Sequence, residues 1–248
     1  QGWIGNIRKL AAAHWWDGTS VNRVQDNYVV QWGDATETKV LPEGLAVVPE
    51  REYAASLDAT KLKEVGAGKR GYGDRRPIIG TGQDPYSDGG YFVDGWPVAL
   101  SWLDRTQPTA QWPVHCYGAV GVGRNLSPDT GTGAELYVVI GHAPRHLDRN
   151  IALVGRVISG IEHLSSLPRG TGALGFYENE KERVPITSIR LATDLPASDQ
   201  PAFEYLSTES DSFARYADAR ANRRDPFFIL PAGGADICNI PVPVRPAR

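Results

Sequence analysis

Residues 28–32, YVVQW, form a continuous apolar-rich run that stops at Gly33-Asp34. A run this short fits a buried strand. Further strand signals stand at 119–122, 137–141 and 151–158, separated by loops rich in glycine and proline. Residues 184–191, VPITSIRL, alternate as a half-buried strand does. Irregular strands at this density predict an antiparallel barrel rather than a doubly wound sheet.

Helical signals are fewer. Ile4, Ile7, Leu10, Ala11 and Trp15 share one helical face, and the turn chemistry of Asp17-Gly18 stops it. A short helix at 161–167 ends at Pro168, and 50–65 is a further helical candidate. Residues 210–225 place Phe213, Tyr216 and Ala217 on one side of a helix and arginines on the other. Between 35 and 113 the pattern weakens, with brief apolar runs at 45–48 and 91–93 and turn signals at Gly89-Gly90 and Asp94-Gly95. That reads as an insertion packed over a scaffold. The closing NIPVPVRPAR holds prolines that forbid a central strand and reads as an extension on the surface.

Composition narrows the function. At 248 residues the chain accommodates one large domain with insertions, or two small ones. A net charge of −3 with no basic arm offers no footprint for nucleic acid. No run of 18 apolar residues exists, which excludes a helical membrane span. Cys116 and Cys238 permit one disulfide, which would stabilise the fold by about 4 to 5 kcal/mol through its long loop, or else two buried thiols. His142 and His146 lie four apart, but Pro144 stands between them and no third ligand is in view, so no metal is expected. The glycines at 121, 123, 131 and 133 lack the strand-GxGxxG-helix context of a phosphate loop, and no GxSxG elbow occurs.

Residues 21–34 read Val21, Asn22, Arg23, Val24, three residues, Tyr28, Val29, Val30, Gln31, Trp32, Gly33, Asp34. Without a gap this resembles the F-H-R-V-x-x-x-F-M-x-Q-G-G-D of the cyclophilins, the peptidyl-prolyl cis-trans isomerase family. Residues 132–138, TGAELYV, resemble the family's N-G-S-Q-F-F-I, and 146–157, HLDRNIALVGRV, its W-L-D-G-K-H-V-V-F-G-K-V. The family's M-A-N falls on Val122, Gly123 and Arg124 if two residues are inserted near Leu126 and Ser127. The resemblance covers about 4–34 and 115–195 and is silent on the insertion and the tail.

The resemblance implies an all-β fold, a closed antiparallel barrel capped by helices, over an isomerase domain at 1–195 that contains the 35–113 insertion. Residues 196–248 would be a C-terminal extension packed on it. It implies rotation about Xaa-Pro bonds in protein substrates, with Arg23 and Gln31 catalytic. Tyr28, Val29, Gly123, Arg124, Glu135, Tyr137, His146 and Leu147 would bind substrate. No cofactor or metal is implied; the partners are proline-containing polypeptides, bound by a monomer. Three positions depart from the family: Glu135 replaces a glutamine, His146 a tryptophan and Ile151 a histidine. The second implies weak cyclosporin binding, and the first two, with the insertion, sustain another reading, a non-catalytic module that grips proline-containing segments.

Cyclophilins place two strands before the first helix, whereas here the helix starts near Ile4. With no methionine in the chain, about twenty further residues are expected before Gln1, because a barrel lacking two strands exposes unpaired edges. That start and the possible disulfide fit an exported, periplasmic protein, with the cytoplasm as the other home.

Overall fold

The computed structural model describes residues 2–56, 84–104 and 107–247. In chain order the elements are α1 (Gly2–Ala12), β1 (Ser20–Val24), β2 (Val29–Gly33), β3 (Ala55–Ser56), β4 (Gly89–Val93), β5 (Trp96–Asp104) and β6 (Gln107–Pro113). There follow β7 (Ala119–Val122), β8 (Leu136–Val139), β9 (Leu153–Arg156), α2 (Ile161–Ser165), β10 (Val184–Pro185), β11 (Phe203–Tyr205), α3 (Asp211–Ala221) and β12 (Val244–Pro246). The chain divides into two compact units, one of residues 1–53 and 115–201, the other of residues 54–114 and 202–248.

In the first unit six strands form one sheet in the order β10-β1-β2-β8-β7-β9, every neighbouring pair antiparallel. Among the described residues its edges are β10 and β9. Period-two alternation separates the two faces. Val30 and Val138 pack with Val21, Val24 and Tyr177 against Ile161 and Leu164 of α2. Val29, Tyr137 and Val139 point the other way, among Tyr28, Leu147 and Ile151. A third cluster joins Trp3 and Leu10 of α1 to Trp16, Val122 and Leu136.

The first helix is rotated from its expected face and is shorter. It buries Trp3, Asn6, Leu10 and Ala11, while Ile4 and Ile7 are only half-buried. Asn6 tolerates burial because its amide donates to Ala46 O at 2.9 Å and accepts from Ala46 N at 2.7 Å. The helix ends at Ala12, not at Asp17-Gly18, as His14 takes a positive φ of 52°. Unwinding lets the neighbours Trp15 and Trp16 both bury their rings, their indole N–H groups donating to Val40 O and Ala134 O. The strand expected over 184–191 is a ladder only at Val184–Pro185, yet Ile186, Ile189 and Leu191 still pack on the core.

The second unit holds a four-stranded sheet, β3-β6-β5-β4, a β11-β12 ribbon and α3. Asp94 and Gly95 join β4 to β5 with φ of 48° and 77°, the paired positive values of a two-residue hairpin turn. Gly89 and Gly90 lie inside β4 rather than in a turn. The helix expected at 50–65 is a single 3-10 turn at Glu50–Tyr53 followed by β3; residues 57–65 fall outside the described residues. The helix expected over 210–225 forms at Asp211–Ala221, with Ser210 accepting from the Phe213 N–H as its N-cap. Phe213 and Ala217 pack with Ile240, Val242 and Phe92, so the tail shares a core with the insertion. Among the described residues no helix is long and apolar enough to cross a membrane.

Candidate active site

Strand register builds a row of functional side chains. Arg23 of β1 pairs with Gln31 of β2, Gln31 with Tyr137 of β8, and Tyr137 with Gly121 of β7. Directly opposed residues share a face, so the four positions line up across the sheet. Gly121 at the end of the row has no side chain, and the Tyr137 ring occupies the space a Cβ would need. The row borders a cleft of about 700 Å³ that Tyr28, Val29, Leu147 and Ile151 line with apolar surface.

The Arg23 guanidinium is held at three points: Nε donates to Leu174 O at 2.8 Å, Nη1 to Gln31 Oε1 at 3.1 Å and Nη2 to Gln25 Oε1. Its carbon lies 5.7 Å from the Tyr28 ring and 5.4 Å from the Phe176 ring, within cation-π range. Burial lowers the Arg23 pKa from its usual value, but a guanidinium remains charged throughout neutral pH.

Behind Tyr137 lies a buried polar chain. The Tyr137 hydroxyl sits 3.0 Å from His115 Nε2, and His115 Nδ1 sits 2.9 Å from Asp148 Oδ1. Asp148 Oδ1 also accepts from the His115 backbone N–H, and Oδ2 accepts from Arg145 Nε at 2.6 Å. Burial alone would raise the Asp148 carboxyl, but the hydrogen bonds from His115 and Arg145 outweigh it and hold it below the usual range. Burial pushes the Tyr137 phenol far above its ordinary value, so it stays protonated.

Glu135 lies at the other end of Gln31, which donates through Nε2 to Glu135 Oε2 at 3.4 Å. Burial first, then the carboxylates of Glu37 and Asp34, push Glu135 up to about 7 against the opposing Gln31 hydrogen bond. Gly33 makes room for the carboxylate, which occupies the space a Cβ would fill, and the Gly123 N–H donates to Glu135 O at 2.8 Å.

Of the residues singled out from the sequence, Arg23, Gln31, Tyr28, Val29, Gly123, Arg124, Glu135, Tyr137 and Leu147 all line this cleft. Arg124 turns its guanidinium to the carbonyls of Asn150 and Asn125. His146 stacks on Tyr28 at 6.0 Å without lining the cleft. Neither Cys116 nor Cys238 is a free thiol. Sequence reasoning missed Phe176 and Leu174, which close over Arg23, and the His115–Asp148–Arg145 chain. Among the described residues no three metal-ligating side chains converge.

Fold and cleft together define a β-sheet protein of the cyclophilin class. The chain belongs to the family described as cyclophilin type peptidyl-prolyl cis-trans isomerase/CLD, whose sequence model matches residues 4–191. Among solved structures it is similar to a cyclophilin from Hirschia baltica, with a TM-score of 0.69 and 21% identity over 98% of this chain and 81% of that one. A cyclophilin type isomerase from Cryptosporidium parvum, solved in the presence of the dipeptide Ala-Pro, gives a TM-score of 0.38 and 15% identity over 75% of this chain and 82% of that one. No curated protein matches the chain.

Proposed function

We propose that the protein catalyses cis-trans isomerisation of Xaa-Pro peptide bonds in polypeptide substrates, with Arg23 as the catalytic residue and Gln31 holding it. The barrier to be lowered, about 18 to 20 kcal/mol, comes from resonance that delocalises the imide nitrogen lone pair into the carbonyl. The reaction needs no covalent intermediate; it needs the twisted amide bound better than either planar form.

The carrying observation is the Arg23–Gln31–Tyr137 row beside an apolar floor. A proline ring gains by leaving water for Tyr28, Val29, Tyr137 and Leu147. Three contacts fix the guanidinium and leave one N–H on each terminal nitrogen for the carbonyl of the substrate proline itself, rather than that of the rotating imide. A charge-assisted hydrogen bond there favours a pyramidal imide nitrogen, and each tenfold in rate takes only about 1.4 kcal/mol of preference for the twisted state. Gly123, Arg124 and Glu135 flank the path of the substrate backbone, with His146 behind Tyr28 at the rim.

The test is a protease-coupled isomerase assay on an Xaa-Pro peptide. The wild type accelerates isomerisation, and Arg23→Ala reduces the rate about a hundredfold or more while unfolding stays cooperative. An equally active Arg23→Ala protein would remove the mechanism. Binding of the peptide without acceleration would favour the second reading, a module that grips proline-containing segments, which the Glu135 and His146 departures keep open. Export to an oxidising compartment is part of the same reading, supported by the absence of a free thiol. A Cys116–Cys238 bridge would make the intact mass rise by two hydrogens on reduction.

A further inference from the structure

The Gln31 side chain joins two groups with opposite hydrogen-bonding demands. Arg23 Nη1 lies 3.1 Å from one end of its amide and Glu135 Oε2 lies 3.4 Å from the other. A guanidinium only donates, so the amide oxygen must face Arg23 and the NH2 group must face Glu135. An ionised carboxylate only accepts and enforces the same orientation from the opposite side. We propose that Glu135 is a positioning residue: its carboxylate locks the Gln31 amide in the orientation that holds the Arg23 guanidinium over the cleft. This rests on the isomerase reading of the same cleft.

Protonation undoes the lock. A neutral carboxyl carries an O–H donor beside its carbonyl acceptor, so it no longer enforces one orientation: the Gln31 amide can turn and accept from it, opposed by Arg23 alone. Turning brings the amide NH2 against the Arg23 N–H groups, donor against donor, and Arg23 loses one of its three anchors.

The surroundings of Glu135 place this change near neutrality. From β2 it meets neutral Gln31 and Gly33, and from the following loop the carboxylates of Asp34 and Glu37. Asp34 is occupied by its own turn, accepting from Thr36, Thr38 and Lys39. From the segment that follows β7 it meets the Gly123 backbone, while Arg124 is directed to Asn150 and Asn125. Glu135 itself lies just before β8, whose titratable side chain Tyr137 stays protonated. Burial, opposed by the hydrogen bonds from Gln31 and the Asp34 backbone N–H and reinforced by two like charges, places the Glu135 transition at about 7. Glutamine at this position accepts the Gln31 N–H without titrating.

The experiment measures kcat and KM on an Xaa-Pro peptide from about pH 5.5 to 8.5 for the wild type and Glu135→Gln, together with the side-chain 15N amide resonances of Gln31. Loss of one hydrogen bond worth about 1 kcal/mol predicts a fall in wild-type kcat of about fivefold towards acid, with a midpoint near the Glu135 transition. KM changes less, Glu135→Gln is flat, and the Gln31 resonances titrate with the same midpoint in the wild type alone. A flat wild-type profile, or an inflection that survives in Glu135→Gln, overturns the proposal. Should the wild type be inactive at every pH, the isomerase reading fails and the Gln31 resonances decide alone. Titration that Glu135→Gln abolishes then supports the lock, and resonances that do not move overturn it.

Discussion

Two carboxyls in this cleft and its backing carry opposite linkage to folding. Asp148 is 3% exposed, and its two strong partners more than offset the burial that would raise it. Its folded value therefore lies below its unfolded one, so it stabilises the fold above the ordinary carboxylate range and ceases to as the pH falls below that range. Asp148→Ala removes the carboxylate from the buried Arg145 and from His115, and should cost about 3 to 5 kcal/mol in denaturant unfolding at neutral pH. Glu135 has the other sign. With its folded value raised to about 7 from 4.5, its ionised form disfavours folding, fully so above 7. Calorimetry should find the wild type more stable at pH 5.5 than at pH 8, with Glu135→Gln raising the midpoint at pH 8 and removing most of the difference. The proposed lock thus works in the pH range where Glu135 weakens the fold.

At the scale of elements, register decides what the site contains. A slip of one residue between β2 and β8 would put Gln31 and Tyr137 on opposite faces, so their alignment depends on Val29, Val30, Val138 and Val139 packing where they do. Gly121 makes the row possible, since a methyl there would overlap the Tyr137 ring that His115 holds from behind. Gly121→Ala should cost about 1 to 3 kcal/mol through overpacking and lower isomerase activity by displacing the ring, measured by urea unfolding alongside the peptide assay. Much of this row was legible: the run at 28–32 marks β2, and the spacing of Arg23, Tyr28 and Gln31 is gap-free against the family pattern. The polar chain behind it was not. His115 reaches partners 22 and 33 residues away, and no local periodicity encodes such distances. Phe176 and Leu174 reach Arg23 through a turn with positive φ at Leu174 and Gly175, a local bend in a segment with no strand or helix period. In the insertion Asp94-Gly95 was readable as a turn. Its flanking strands were not, because the glycine pair at 89–90 and Pro97 both argue against strand interiors.

At the scale of the molecule, the chain contributes two separated segments to each unit. A unit assembled from 54–114 and 202–248 cannot complete its core from either piece. Phe92 of β4 packs edge-on to Phe213 of α3 at 5.0 Å, and Ala217, Ile240 and Val242 complete that cluster from the tail alone. The tail also caps the hairpin: Glu209 accepts from the Asp94 N–H at 2.8 Å and Thr208 from the Gly95 N–H at 3.1 Å. Ending the chain after residue 201 would expose Phe92 and leave the turn between β4 and β5 without its side-chain acceptors. In a Cys116→Ser background, which avoids a stray thiol, the truncated protein should therefore be cut rapidly within 84–114 by a broad-specificity protease, where the full chain resists. The Arg23–Gln31–Tyr137 row draws every one of its strands from 1–53 and 115–201, so peptide isomerisation should survive the same truncation. Full resistance of 84–114 after loss of the tail would mean that the four-stranded sheet holds together without α3. Loss of isomerisation with an intact first unit would mean that the site depends on more than its own sheet.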